Sequence, residues 1–257
     1  PARLMCLSGL TQQALLRGEL DVAQALSREA LCLARAQGSL VFEGLLELDH
    51  AQLLEQRGAS GRADDLLDHM HGLLCSQHGN AGPLLGRIAL RRGRLNLSLG
   101  REQQAAMYFE TGLQICLRSH DKRALYGFLG LAQLAANRLD YAQAFDQLRD
   151  AERLMQQRRI PETVYRGVLL HTSIHFWLQQ GRPQLAYQAL TRVLRHYHGP
   201  CARQAPPATL ELIDGLEFLL VLTEVYLGQA QTPLERLEGQ LQRARQRGMT
   251  ALQGQLH

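Results

Sequence analysis

Aromatic residues make up only 5% of this 257-residue chain, which has a single Trp, and β-branched side chains are scarce beside Leu, Ala, Gln and Arg. The abundant four lose little rotamer freedom in a helix, so the composition favours helices over strands. Long apolar runs are missing as well. No stretch reaches the roughly 18 uninterrupted apolar residues that a membrane span requires, and long uncharged segments such as Gly167 to Gly181 carry His171, His175 and paired Gln. The first residues lack the basic segment, apolar run and cleavage site of an export signal. Cysteines are few. Cys6, Cys32, Cys75, Cys116 and Cys201 are odd in number, far apart and free of any Cys-x-x-Cys pair, which argues against a disulfide framework or a zinc ribbon. They read as buried thiols in a reducing compartment, hence a cytoplasmic protein.

Catalytic signatures are equally scarce. There is no Gly-x-Ser-x-Gly elbow, no nucleophile beside a base, and no pair of carboxylates whose surroundings would separate their pKa values. No enzymatic activity is expected. The sequence has no Gly-x-x-x-x-Gly-Lys-Ser/Thr loop and no convincing DNA-recognition helix, so neither ATP binding of that kind nor direct nucleic-acid contact is expected. A net charge of +4 arises from 28 basic and 24 acidic residues spread along the chain. The one basic cluster, Arg236 to Arg247, alternates with Leu234, Leu237, Leu241 and Ala244, and reads as the solvated face of a helix.

Against these absences stands one repeated feature. A Gly or Asn is followed five residues later by a small or turn-forming residue at Gly18–Ala23, Gly58–Ala63, Gly100–Ala105, Asn137–Ala142, Gly181–Ala186 and Gly228–Pro233. Apolar residues at helical spacing flank each turn, which predicts six antiparallel helix hairpins. Each hairpin would bury its apolar face only against its neighbours, as in a solenoid. Successive anchors lie 40, 42, 37, 44 and 47 residues apart. The pattern crosses every candidate linker, so residues 1–257 are expected to form one all-α, right-handed superhelical domain. Asp21 is placed to cap a second helix, Pro83 and Pro161 to open later ones, and segments 76–82 and 198–207 read as loops. The chain does not begin with Met and both its ends fall within helical patterns, so it is expected to be a fragment of a longer protein, with Thr250–His257 opening a seventh unit.

These hairpins resemble the tetratricopeptide repeat, which has a small residue mid-way in its first helix, Gly at the turn and Ala early in the second helix. Gly93 and Gly130 lie seven residues before their anchors, and Ala51 is a small equivalent; Thr11, Ile174 and Val221 take the position in units one, five and six. The longer repeats, the phrase Gly18-Glu-Leu-Asp-Val-Ala-Gln-Ala-Leu-Ser-Arg-Glu-Ala-Leu and the ending Leu237 to Gln255 are similar to the sensor region of MalT-like LuxR-family transcriptional activators. In that family the superhelix lies between an ATP-binding module and a helix-turn-helix domain and receives an inducer, often a small metabolite. The resemblance implies an inducer-sensing domain that promotes self-association of its parent regulator. The alternative is a scaffold that binds a peptide or a regulatory protein.

His171-Thr-Ser-Ile-His175 sets two imidazoles four residues apart, but Thr172 stands where a His-Glu-x-x-His zinc enzyme has Glu, so neither metal nor cofactor is expected. Counting back from the turns as in the tetratricopeptide hairpin places Arg87, Arg94, Leu131, His171, His175, Phe218, Leu222 and Tyr226 on or near the concave groove. Such a groove would accept an anionic or polyhydroxylated molecule. The competing reading makes Phe218, Leu222 and Trp177 packing residues and each Arg a solvated one.

Overall fold

In a computed structural model of the chain, residues 2–76, 82–158, 162–198 and 210–246 are described. They form α1 (Ala2–Arg17), α2 (Leu20–Ala36), α3 (Leu40–Gln56), α4 (Ser60–Ser76), α5 (Gly82–Ser98), α6 (Glu102–Arg118), α7 (Ala124–Asn137), α8 (Tyr141–Gln157), α9 (Glu162–Gln179), α10 (Pro183–His198), α11 (Leu210–Tyr226) and α12 (Pro233–Gln246). No strand occurs among the described residues. Pro161, Cys201, Thr250–His257 and most of the two expected loops (77–81 and 199–207) lie outside them.

Each hairpin turns through one residue in the left-handed region. Gly18, Gly58, Gly100, Gly181 and Gly228 have φ between 66° and 74°, which glycine alone adopts without a Cβ clash. The next amide then donates back to the carbonyl five residues earlier, as in Ala59 N to Leu54 O at 2.8 Å and Arg101 N to Asn96 O at 2.8 Å. Asn137, read from the sequence as the fourth anchor, is the last residue of α7 instead. The turn residue is Leu139, at φ 62°, and Asp140 N closes the same bond to Ala135 O at 2.9 Å. The true pair is Leu139–Ala144, where Ala144 is buried and Ala142 exposed. Asp140 adds a cap, its carboxylate accepting from Gln143 N at 3.0 Å. Asp21 caps nothing: Glu19 holds that position in α2, and Asp21 pairs with Arg57 at 2.6 Å.

A left-handed Leu costs about 1–2 kcal/mol, and this one is 71% exposed, so little packing offsets the strain. Leu139→Gly should therefore raise stability by about 1 kcal/mol after the entropy of the freer unfolded chain is subtracted. Urea denaturation at neutral pH would register it; a loss of stability would mean that the Leu139 side chain holds the turn.

With Leu139 as anchor, one packing scheme runs through the chain. The residue seven before each anchor is Thr11, Ala51, Gly93, Ala132, Ile174 or Val221, and all six are buried. Five after it stand Ala23, Ala63, Ala105, Ala144 and Ala186, all at 0% exposure, where the two helices of a hairpin touch and only a methyl fits. Gly130, read from the sequence as the small residue, gives way to Ala132 in that role. It serves a different purpose, since a Cβ there would run into the Phe109 ring, as would one on Gly93 at 2.7 Å. Phe109 thus fills the joint between the third and fourth hairpins.

The chain divides into two compact units, residues 1–15 with 19–158, and residues 16–18 with 159–257. In the first, one cluster joins Leu4 and Leu7 to Ala30, Leu31, Ala34 and Leu46, and another joins Ala51, Leu67 and Met70 to Leu84 and Ile88. In the second, Ile174, Ala186, Leu190, Leu194, Leu216 and Leu219 form the core. The expectation of buried thiols holds for Cys116, whose thiol burial pushes up to about 11, but Cys6, Cys32 and Cys75 are exposed and free. Helical periodicity placed them in helices without telling which side faces water.

Candidate functional site

Within the first unit, α3 packs on α5 and α5 on α7, while no comparable packing joins α2 to α4, α4 to α6 or α6 to α8 among the described residues. The first helices of the hairpins therefore line the tighter, inner side of this stack. That wall is polar. Asp49 of α3 accepts from Ser8 Oγ at 3.2 Å and from Gln12 Nε2 at 3.4 Å, both on α1. Burial pushes its carboxyl up to about 6, against those two hydrogen bonds and the Arg91 and Arg123 charges, which favour ionisation. One turn and a half further along α3, Glu55 receives Arg91 Nη1 at 2.8 Å and Arg94 Nε at 2.7 Å, and Arg91 Nη2 also reaches Gln52 at 2.9 Å. Burial alone would raise the Glu55 carboxyl; the Arg94 and Arg91 charges and hydrogen bonds outweigh it and hold the group below its ordinary range.

The row continues towards α7. Arg87 Nε donates to Asp121 Oδ2 at 2.8 Å, while Asp121 Oδ1 accepts from the Arg123 amide at 2.9 Å. Burial pushes the Asp121 carboxyl up, but these bonds and the two guanidinium charges bring it below its usual value. Four arginines and three carboxylates are thus ranged along one wall, and their exposures differ in kind. The Glu55 and Asp121 side chains are 11% and 6% exposed, whereas those of Arg94, Arg123 and Arg87 are 49%, 39% and 29% exposed. Carboxylates lie behind, guanidinium groups in front.

Of the eight residues named from the sequence, Arg87 and Arg94 belong to this wall. Leu131 was counted from Asn137; from Leu139 the same position falls on Gln133, which donates to Asn137 at 3.0 Å, and Leu131 is half-buried on α7. In the second unit, Phe218, Leu222 and Trp177 pack against the α9–α11 core. Tyr226 is 65% exposed at the end of α11. His175 is half-buried, and burial lowers its pKa, so the imidazole is neutral at pH 7. His171 lies on α9, with its side chain outside those described. Arg236 and Arg243, read as part of a solvated face, tie α12 to Glu224 and Glu217 of α11. No group of three or more metal-ligating side chains occurs among the described residues, nor any helix long and apolar enough to cross a membrane. The sequence reading missed Ser8, Gln12, Asp49, Gln52, Glu55, Arg91, Asp121 and Arg123. One signal pointed to α3: its acidic residues fall on more than one side of the helix and leave no single polar stripe, so some must face protein.

No protein-family model matches this chain, and no curated protein does. Solved structures do, among them the crystal structure of the apo form of RapI, with a TM-score of 0.57 and 12% identity over 89% of this chain and 85% of that one. At that identity the likeness shows the fold: an all-α, tetratricopeptide-like solenoid of helix hairpins.

Proposed function

We propose that this chain is a non-catalytic repeat module that grips a segment of another protein along the inner wall of its first unit, and that it does so in the cytoplasm. The wall itself carries the reading. Small ligands are held in clefts that enclose most of their surface and are lined mainly by apolar groups; here polar and ionised side chains from α1, α3, α5 and the start of α7 form an extended row. A row of that kind suits successive side chains of a peptide. The tetratricopeptide-like fold is in keeping with it.

The finer reading, an inducer-sensing domain of a MalT-like LuxR-family activator, rests on the similarity of sequence phrases. It would require an effector with different affinity for two arrangements of the hairpins. A single pair of screens on the purified chain separates the two: selection from a displayed random-peptide library, and thermal shift against a metabolite collection. Selected peptides whose binding is lost in Gln12→Ala and Gln52→Ala variants support the protein-binding reading. A metabolite that raises the Tm, with no peptide selected, would replace it with the inducer reading.

A further inference from the structure

Resting on that reading, one corner of the wall specifies a group that the partner segment carries. We propose that a phosphorylated side chain of the partner docks between Arg87 and Arg123, at the junction of α6 and α7. The observation is one of unmet donors around a single carboxylate. Arg87 reaches Asp121 through Nε alone, at 2.8 Å, so the four hydrogens on its Nη1 and Nη2 have no acceptor among the described residues. Arg123 gives Asp121 its backbone amide at 2.9 Å, but its guanidinium stays 3.6 Å from Oδ1. Its five side-chain donors make no hydrogen bond among the described residues. Both side chains are open enough to be met, at 29% and 39% exposure, while Asp121 lies behind them at 6%. The bond to buried Asp121 fixes the orientation of Arg87 in advance, so a second anion is bound there with less entropy lost.

Charge points the same way. Arg158, just past α8, donates to the Asp121 carbonyl at 3.0 Å and to the Leu117 carbonyl at 3.4 Å. Arg118 and Lys122 are exposed beside the same junction and have no acidic partner among the described residues. The chain's 28 basic and 24 acidic residues leave a surplus of four. Five of the basic residues and one of the acidic belong to this corner, so the corner holds the whole surplus and the rest of the chain is balanced. A carboxylate, with two oxygens and one charge, would engage one guanidinium fork and leave the other to water. A phosphoryl group brings three acceptor oxygens and about two charges at neutral pH, which lets one group bridge both arginines.

Fluorescence anisotropy on the full chain tests this with degenerate peptide libraries of one length that carry a central phosphoserine, glutamate or serine. The phosphoserine library should bind about tenfold tighter than the other two, and most of that preference should disappear between about 50 and 300 mM salt. Arg123→Gln keeps the backbone bond to Asp121 and should abolish the preference with Tm near that of the parent. Arg87→Lys keeps a charge beside Asp121 without the fork and should also reduce it. Arg153→Gln, which removes one charge from the exposed side of α8, should leave it intact. A glutamate or serine library that binds as tightly as the phosphoserine one, or a preference that survives both Arg123→Gln and Arg87→Lys, would overturn the inference. So would inorganic phosphate that displaces the phosphoserine library at equal concentration, because the site would then take the free anion rather than a partner's side chain. Binding of all three libraries alike that depends on Gln12 and Gln52 leaves the protein-binding reading standing; binding of none removes both.

Discussion

Arg92→Ala should lower the stability of the first unit by about 3–5 kcal/mol, the range for removing one partner of a buried ion pair. Arg92 lies on α5 with its side chain 8% exposed; its Nε donates to Asp64 Oδ1 at 2.8 Å, and its Nη1 pairs with Asp68, both on α4. The guanidinium also lies over the Tyr108 ring of α6, 4.3 Å from its centroid. One side chain therefore joins three helices of two hairpins. Truncation to Ala leaves the Asp64 carboxylate, 9% exposed, with Arg101 Nη1 at 3.7 Å as its one remaining counter-charge among the described residues. The unfolded chain hydrates that charge in full, and the folded chain cannot. Arg101 moderates the loss, so the expected value is nearer 3 than 5 kcal/mol, read as a fall in the urea midpoint without a change in slope. The double variant Arg92→Met/Asp64→Leu supplies the internal check. It removes the charge together with its partner and should recover most of the loss, because a well-packed apolar pair replaces a buried ion pair at little cost. A single variant that melts with the parent would mean that water reaches Asp64 and the pair contributes nothing.

The rhythm of the fold was legible because two physical constraints repeat: a left-handed turn residue, and a helix crossing where only Ala fits. The fourth hairpin misled for a reason of the same kind. Leu at φ 62° is an unfavourable choice, and Asn137 and Ala142 offered a decoy at the right spacing two residues early. Nothing local in the sequence marks Leu139; the backbone bond from Asp140 to Ala135 and the Asp140 cap hold it there. The polar inner wall was half legible. Arg87 and Arg94 follow from counting along α5, but what makes them a surface is Glu55, 32 and 39 residues away, and Asp121, 34 and 27 residues away. Pairings at that separation depend on how hairpins stack, and hairpin stacking is set by the small residues around Phe109 rather than by any pattern in the charges. Phe218 and Leu222 show the converse, since helical spacing cannot tell a side chain that lines a groove from one that packs between repeats.

Asp49→Asn should stabilise the protein at pH 7.5 by roughly 2–3 kcal/mol. The carboxyl is pushed from its ordinary 3.8 up to about 6 by burial. Between those two values the folded chain holds a proton that the unfolded chain has released. Folding therefore takes up protons in this window, and stability falls as pH rises from about 4 to about 6, then stays low. Asn carries no charge to bury, so the variant should match the parent near pH 4 and exceed it increasingly up to pH 6. Its amide keeps the site satisfied, because the Ser8 hydroxyl and the Gln12 amide can each donate or accept. Urea midpoints of the two proteins at pH 4 and pH 7.5 check the sign directly, and a variant weaker than the parent at pH 7.5 would show that the ionised carboxylate holds α1 against α3. A buried charge kept at such a cost, on the wall where Arg91 and Arg123 also point their charges, is what a surface shaped by binding rather than by stability would carry. The stabilised Asp49→Asn protein should accordingly bind selected peptides less selectively than the parent, since the wall loses the one carboxylate that no arginine covers at salt-bridge distance among the described residues.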